Sequence, residues 1–224
     1  MDDIARALAG GKDALNEYES KRLLAAAGIP VCREALAEDA EEAAKIAAGF
    51  GYPVVLKAAG SSLYHKTEVG GIALNLKGGA EIREEGKRLL AIPGCEAILV
   101  QEMVPGNREI VCGLLRDVQF GPCVMFGLGG IFTELLQDVV FRVAPLAEYD
   151  AMQMMADIRT AKVLDPFRGE AAVDRKALAQ ALVSLGQIGL SRPEVEAIDI
   201  NPLKIRKDGS PVAVDALVKI RKAT

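Results

Sequence analysis

The sequence predicts an α+β fold in which helices and antiparallel strands alternate without a regular βαβ repeat. The chain ends in a predicted hairpin, because apolar stretches at 195–205 and 211–218 flank the turn Lys207-Asp208-Gly209, and Asp-Gly between two such stretches favours a tight turn. Strand patterns at 97–102 and 109–115 also follow one another with only a short connector between them. Direct strand-to-strand connections of this kind are typical of antiparallel sheets.

The first half of the chain predicts alternating helices and strands on both sides of a polar loop. Asn16 and Glu19 form a capping-box-like start of the first helix. The apolar run 53–58 predicts a buried strand, and the Gly-containing segment 59–71 predicts a loop. The other elements expected here are a strand at 31–36, a helix at 39–50, a strand at 72–76 and a helix at 80–90.

The second half predicts further strands and two long helices before the terminal hairpin. A boundary between two lobes is expected in the connector near Pro105, which gives approximate lobes of 15–103 and 104–224. The elements expected here are strands at 123–126 and 139–143, and helices at 148–163 and 174–188.

Composition excludes several classes of protein. Half of the 224 residues are hydrophobic, so a sizeable core can form. The net charge is −4 and no basic run occurs, which argues against nucleic acid as the main partner. No segment approaches the ~18 uncharged apolar residues of a membrane span, and the start lacks a signal-peptide pattern. The four cysteines form no C-x-x-C pair, which favours reduced thiols over a zinc site. A cytoplasmic protein that binds anions at a local site is expected.

Two neighbouring segments carry residues suited to phosphate. Lys57 lies at the end of an apolar run, and a buried ammonium needs an anion such as phosphate; a strand-end lysine that extends to water is the alternative. The following loop contains Gly70 and Gly71, where backbone N–H groups could approach a phosphate closely. It also contains His65, the only histidine, whose neutral nitrogen can accept a phosphoryl group. A surface histidine without a catalytic role is the alternative.

The terminal hairpin predicts half of a metal site. Asp199 and Asn201 interrupt an apolar strand, and Asp215 follows the apolar residues of the partner strand. Folding at the Asp-Gly turn brings Asn201 and Asp215 nearly opposite each other. Mg²⁺ prefers oxygen ligands and is commonly held by one or two carboxylates plus substrate phosphates. Polar residues at strand ends, without a metal, are the alternative, because the register decides whether the two side chains share a face.

A connector and one arginine complete the candidate residues. After Glu102, the extended segment at Met103 and Val104 could offer backbone groups to an adenine edge and apolar cover to its ring. An ordinary strand connection fits this pattern equally well. Arg142 lies within the apolar stretch 139–143, where a guanidinium needs an anion such as phosphate, or a structural ion pair.

Together these segments resemble the ATP-grasp nucleotide-binding subunit of ADP-forming acyl-CoA (acetyl-CoA) synthetases. The resemblance spans nearly the whole chain and rests on motifs in a fixed order. They are Glu19-Ser20-Lys21, Ala27-Gly28-Ile29-Pro30, Tyr52-Pro53-Val54-Val55-Leu56-Lys57, His65-Lys66-Thr67-Glu68-Val69-Gly70-Gly71, Val100-Gln101-Glu102-Met103-Val104, Gly121-Pro122, Phe126-Gly127-Leu128-Gly129-Gly130, Phe141-Arg142-Val143-Ala144-Pro145-Leu146 and Asp199-Ile200-Asn201-Pro202-Leu203.

The resemblance implies a fold of two α+β lobes that grip the nucleotide between them. It implies that Lys57 binds phosphates, that the loop ending at Gly70 and Gly71 covers them, and that Arg142 helps neutralise their charge. Adenine would be held by Glu102, Met103 and Val104, and the ribose by Glu109. Asn201 and Asp215 would ligate Mg²⁺.

The resemblance also implies a reaction that needs a second chain. His65 would accept a phosphoryl group from a phosphohistidine of the partner and pass it to ADP, and Asp199 would face the incoming phosphohistidine loop. The partner would be a CoA-binding α subunit, in an α2β2 assembly by analogy, and the overall reaction acyl-CoA + ADP + phosphate ⇌ acid + ATP + CoA. A carboxylate–amine ligase of the ATP-grasp type, which needs no His65, and a nucleotide-sensing subunit without turnover are the alternatives.

Overall fold

The structure is a computed structural model that describes residues 2–60, 69–129, 138–166 and 169–222. Packing divides it into two compact units, and each is named here after its sheet. The four-stranded unit comprises Asn16–Tyr18 and Cys32–Val104, and the six-stranded unit comprises the described residues of Met1–Leu15, Glu19–Val31 and Pro105–Thr224. The predicted lobe limits, 15–103 and 104–224, remain a prediction about domain organisation.

The four-stranded unit is an antiparallel sheet covered by two helices. Its strands are β1 (Glu34–Ala37), β2 (Val54–Ala59), β3 (Ile72–Leu76) and β4 (Ala97–Glu102), in the order β1-β4-β2-β3. Its helices are α3 (Ala40–Phe50), capped by the Asp39 side chain, and α4 (Gly79–Leu90). At Gly86 of α4 a side chain would come within 3.0 Å of Ala40. The small residues therefore let α3 and α4 approach closely over one core.

The six-stranded unit is built around the terminal hairpin. Its strands are β5 (Glu109–Asp117), β6 (Gly121–Leu128), β7 (Val139–Val143), β8 (Val195–Ile205), β9 (Pro211–Ala213) and β10 (Ala216–Ile220). The order is β10-β8-β5-β6-β7, and β9 pairs with the end of β8. The helices are α1 (Asp3–Ala9), α2 (Glu17–Ala26) from residue 19 onward, α5 (Glu148–Asp157) and α6 (Arg175–Ser191), with a 3₁₀ turn at Ala161–Leu164.

The two faces of the six-stranded sheet differ in burial. Ile198 and Ile200 are buried in the core that also contains Leu182 of α6, whereas Asp199 and Asn201, which alternate with them along β8, are exposed. Side chains alternate between the faces of a strand. The candidate polar residues of β8 therefore lie on the face away from that core.

Most predicted elements are confirmed, and two are interrupted. The strands at 72–76 and 139–143 and the helix after Asp39 are found where predicted, whereas α1 was not predicted. The expected helix over 148–163 ends at Asp157, because the buried Asp138 carboxylate accepts hydrogen bonds from the backbone N–H groups of Arg159 and Thr160, both at 2.8 Å. These bonds hold the following residues out of the helix.

The second interruption lies in the terminal hairpin, where the expected strand 211–218 divides into β9 and β10 around Val214 and Asp215. The four cysteines are free thiols, of which Cys32 and Cys112 are buried and Cys95 and Cys123 are partly exposed. In the described part of the chain, no helix combines the length and apolar character needed to cross a membrane.

Candidate functional site

The register of the terminal hairpin places Asn201 opposite Asp215. Ala216 pairs with Ile200 on one side of the β9–β10 interruption, and Ala213 pairs with Leu203 on the other. Counting inward from either pair aligns Asp215 with Asn201. Asp215 is therefore level with Asn201, which lies on the face of β8 away from the core, while the role of the two residues as metal ligands remains a prediction.

Asp199 shares this face and lies two residues before Asn201. It is flanked by Leu217 on β10 and by Gly113 on β5. A side chain at Gly113 would come within 2.1 Å of the Ile198 carbonyl oxygen, so only glycine lets β5 run so close to β8. Although Asp199 is exposed as a residue, its carboxyl is partly desolvated, and this raises its pKa above the ordinary value.

This face supplies an incomplete set of ligands, which suits Mg²⁺ bound together with a nucleotide. Within the residues that the structure describes, no three His, Cys, Asp or Glu side chains gather as a metal cage. The carboxylate of Asp215 and the amide oxygen of Asn201 would supply hard oxygen ligands, and Mg²⁺ normally retains waters and takes phosphate oxygens for the rest. The chemistry of the donor set therefore fits the ion.

Lys57 is buried in β2 and pairs with a carboxylate that the sequence analysis did not single out. Its ammonium lies 2.6 Å from Glu17 Oε1, and the side chains are 8% and 4% exposed. The prediction that Lys57 needs an anion is therefore met within the four-stranded unit by Glu17, which excludes a lysine extended into water. A role for Lys57 in phosphate binding stays a prediction.

The connector residues are held by hydrogen bonds to other loops of the four-stranded unit. Glu102 accepts the backbone N–H of Arg33 through its side chain at 2.9 Å and donates its own backbone N–H to the Arg33 carbonyl. The backbone N–H of Met103 bonds to the carbonyl of Pro53 at 3.4 Å, and Val104 is buried. The connector is thus fixed in place, while adenine binding by these residues remains a prediction.

Arg142 points away from the face that carries Asp199. It is opposite the buried Val124 in β6 and pairs with Asp157 at the end of α5, with side chains 38% and 44% exposed. The structural ion pair that the sequence left open is therefore present, and the structure does not bring Arg142 together with Asn201 and Asp215.

The other predicted residues have ordinary local partners or lie outside the described residues. Glu109 pairs with Lys204 across β5 and β8 at 3.6 Å. The Gly70 carbonyl accepts a hydrogen bond from Arg88 at 2.7 Å, and that of Gly71 accepts one from the Ala58 N–H at 2.8 Å. His65 lies in 61–68, outside the described residues, so its predicted role stays untested.

Four charged residues that the structure buries were not among the candidates predicted from the sequence, namely Glu17, Lys21, Arg108 and Asp138. Arg108 pairs with Glu170 at 2.9 Å and donates to the carbonyl of Ala171, which fixes the chain before α6. Lys21 was quoted within a motif but given no role. The immediate sequence neighbours of Lys21 and Arg108 are polar or charged, so no local pattern indicates that these residues are buried.

Comparison with known proteins identifies the fold. The ATP-grasp domain family matches residues 6–220. The chain belongs to the ATP-grasp family. This ATP-grasp chain is 42% identical to the protein named acetate–CoA ligase [ADP-forming] I subunit beta of Pyrococcus furiosus, over 90% of each chain. It is also 35% identical to subunit beta of the second such ligase of that organism, over 97% of this chain and 96% of the relative.

Longer relatives and solved structures agree with this grouping. In the Archaeoglobus fulgidus acetate–CoA ligase [ADP-forming] I, 38% identical, the chain covers only 29% of the relative's length, so that protein carries further segments. A structure of Ca. Korarchaeum cryptofilum dinucleotide forming acetyl-coenzyme A synthetase 1, in complex with coenzyme A and Ca-AMPCP, superposes with a TM-score of 0.91 at 41% identity, covering 97% of each chain. The predicted ATP-grasp fold and the resemblance to this group of ligases are confirmed.

Proposed function

We propose that this ATP-grasp chain is the nucleotide-binding β subunit of an ADP-forming acyl-CoA synthetase and transfers a phosphoryl group between a partner subunit and ADP. The observation that supports the proposal is the register on both sides of the β9–β10 interruption, which brings Asp215 level with Asn201, two residues after Asp199. The homology to β subunits of acetate–CoA ligases supports the same conclusion.

Asn201 and Asp215 would hold the Mg²⁺ that accompanies the nucleotide, and the ion would neutralise phosphate charge during transfer. Lys57 would add a positive charge close to the phosphates, with Glu17 keeping it paired in the absence of nucleotide. The segment from Glu102 to Val104 would hold adenine, and its hydrogen bonds to Arg33 and Pro53 fix its backbone before binding. Preorganisation of this kind lowers the cost of binding.

His65 would receive the phosphoryl group and pass it to ADP. In this step a phosphohistidine of the partner subunit loses its P–N bond as the His65 nitrogen forms one, and a β-phosphate oxygen of ADP then displaces His65 to give ATP. One solved relative supports such a route: in a Ca. Korarchaeum cryptofilum acetyl-coenzyme A synthetase 1 bound to coenzyme A and Mg-AMPPCP, the phosphohistidine segment points towards the nucleotide-binding site of that protein. Asp199 would face the segment as it approaches.

The partner would be a CoA-binding α subunit that carries its own phosphohistidine, in an α2β2 assembly. Two relatives are named subunit beta, and a third relative is a longer chain that includes segments beyond the matched region; both facts support a partner of this kind. The longer relatives would hold both functions in one chain.

Labelling with γ-³²P-ATP tests the relay on this chain alone, since the reverse reaction transfers phosphate from ATP to His65. We expect an acid-labile, base-stable phosphoprotein in the presence of Mg²⁺ that is lost in His65→Ala. Asp215→Asn should reduce labelling strongly, whereas Asp208→Asn should not, because Asp208 lies at the exposed turn of the same hairpin and bonds only locally to Ser210 among its described contacts. Full labelling of His65→Ala would contradict the relay and favour a ligase that forms an acyl phosphate directly.

A further inference from the structure

The motif Glu19-Ser20-Lys21 lies in α2, and the function proposed above gives it no role. Ser20 and Lys21 are both 0% exposed. A lysine is almost never buried completely unless its ammonium has partners. The complete burial of Lys21 in the six-stranded unit therefore indicates that its ammonium has specific partners there.

The contacts of the motif lead to the interruption between β9 and β10. Lys21 Nζ donates to the carbonyl of Val214 at 3.3 Å. Ser20 Oγ accepts the backbone N–H of Val218 at 3.1 Å and donates to the carbonyl of Leu15 at 3.5 Å. The two neighbours in sequence thus contact the chain just before and just after Asp215.

The segment that follows α2 holds the other side of the same interruption. The backbone N–H of Ala213 donates to the Pro30 carbonyl at 2.9 Å, and Val31 forms a bridge with Ala213. Residues 20–31 therefore contact the chain at 213, 214 and 218, on both sides of Asp215.

Val214 and Asp215 lie outside β9 and β10, so the regular ladder does not fix the peptide between them. Val214 N–H bonds to the Pro202 carbonyl at 3.2 Å, and its own carbonyl accepts from Lys21. The carbonyl of Val214 belongs to the peptide that leads into Asp215, so its hydrogen bond sets the orientation of that peptide plane.

We propose that Lys21 is a positioning residue, whose ammonium holds the Val214 carbonyl and thereby sets the Asp215 carboxylate level with Asn201 for metal binding. This inference rests on the proposed role of Asn201 and Asp215 as Mg²⁺ ligands. Groups that orient a metal ligand through hydrogen bonds typically change metal affinity by about 10–100-fold when they are removed.

The test is the Mg²⁺-dependent part of ADP binding, measured by calorimetry with ADP in EDTA and with ADP at saturating Mg²⁺. Lys21→Met keeps the length and apolar stem of the side chain but removes the donor. We expect it to reduce the gain in ADP affinity on adding Mg²⁺ by about tenfold or more, with ADP affinity in EDTA within twofold of the unmodified chain. Mn²⁺ titration followed by electron paramagnetic resonance should show the same loss without any turnover.

Ser20→Ala is the matched control, since it removes bonds of the adjacent buried residue to Val218 and Leu15 but leaves the Val214 carbonyl paired. Val218 also lies opposite Ile198 in the register between β10 and β8, and its carbonyl accepts the backbone N–H of Leu15 at 2.9 Å. The control should lower thermal stability yet keep the Mg²⁺-dependent gain within twofold. If both variants lose the gain equally, the effect is structural and Lys21 has no specific role.

The double variant and a second substitution separate the remaining outcomes. Lys21→Met and Asp215→Asn should not add, because both act through the same ligand. If Asp215→Asn alone leaves the gain intact, the metal assignment fails. If Asp215→Asn removes the gain and Lys21→Met does not, only the role of Lys21 fails. If Lys21→Met does not fold, Lys21→Leu is used instead, and we expect the same reduction in the Mg²⁺-dependent gain in ADP affinity.

Discussion

Replacing Glu17 with glutamine breaks a buried ion pair in the four-stranded unit and leaves the Lys57 charge with an uncharged neighbour. The two side chains are 4% and 8% exposed, and the atoms Glu17 Oε1 and Lys57 Nζ are 2.6 Å apart. Because water reaches neither group freely, we expect a large loss in the free energy of unfolding, whose size depends on which of the two partners is removed.

The magnitude follows from the distance and the burial. With an effective dielectric constant of about 20, two unit charges separated by 2.6 Å attract by about 6 kcal/mol, from 332/(20 × 2.6). Desolvation offsets part of this attraction, and removing one member of a buried pair typically costs about 3–5 kcal/mol. For a chain of 224 residues, that loss lowers the melting temperature by about 6–20 °C.

The assay is chemical denaturation of Glu17→Gln, Lys57→Met and the double variant, with Arg83→Met as the control. Arg83 pairs with Glu41 in an exposed ion pair of the same unit, so its removal should cost about 0–1 kcal/mol. The double variant should regain much of the stability that either single variant loses, because the two buried charges of the pair are then removed together.

The effect of ADP on the melting temperature of the same variants tests the phosphate role of Lys57. If phosphate replaces the carboxylate as the partner of Lys57, ADP should raise the melting temperature of Glu17→Gln more than that of the unmodified chain. It should not do so for Lys57→Met. Losses below 1 kcal/mol in both single variants would refute the argument from burial, and equal ADP responses in all variants would refute the phosphate role of Lys57.

Two further predictions concern a thiol and an ion pair. Burial, with a contribution from the charge of Asp199, raises the pKa of Cys112 to about 12. The stability that this thiol contributes is therefore present below about pH 9 and lost as the pH rises towards 12. In the folded chain at pH 8, Cys112 should resist alkylation by iodoacetamide, and equal alkylation of Cys112 and the half-buried Cys95 would contradict the burial. Arg142→Met removes a half-exposed pair with Asp157 and should cost at most about 1 kcal/mol of stability. If labelling of His65 nevertheless falls more than tenfold, Arg142 has the catalytic role that the resemblance implies; unchanged labelling would restrict it to the ion pair.

Much of the fold could be predicted because its signals are local. The apolar runs, the helix start at Asn16 and Glu19 and the Asp-Gly turn each depend on neighbours in sequence, and the elements they predict are present. The end of α5 at Asp157 could not be predicted, since it depends on hydrogen bonds from Arg159 and Thr160 to Asp138, about twenty residues away in the chain. Such contacts leave no periodicity in the sequence.

The candidate site divides in the same way. The sequence by itself determined which residues carry the chemistry, because an asparagine and an aspartate within apolar strands, a lysine after an apolar run and the ordered motifs of the ATP-grasp family are visible without coordinates. Only the tertiary structure decided their partners. The register across the β9–β10 interruption aligns Asn201 with Asp215, and burial assigns Glu17 to Lys57 and Lys21 to the Val214 carbonyl. These pairings join residues that are distant in the chain, and a buried charge shows only that a partner is needed.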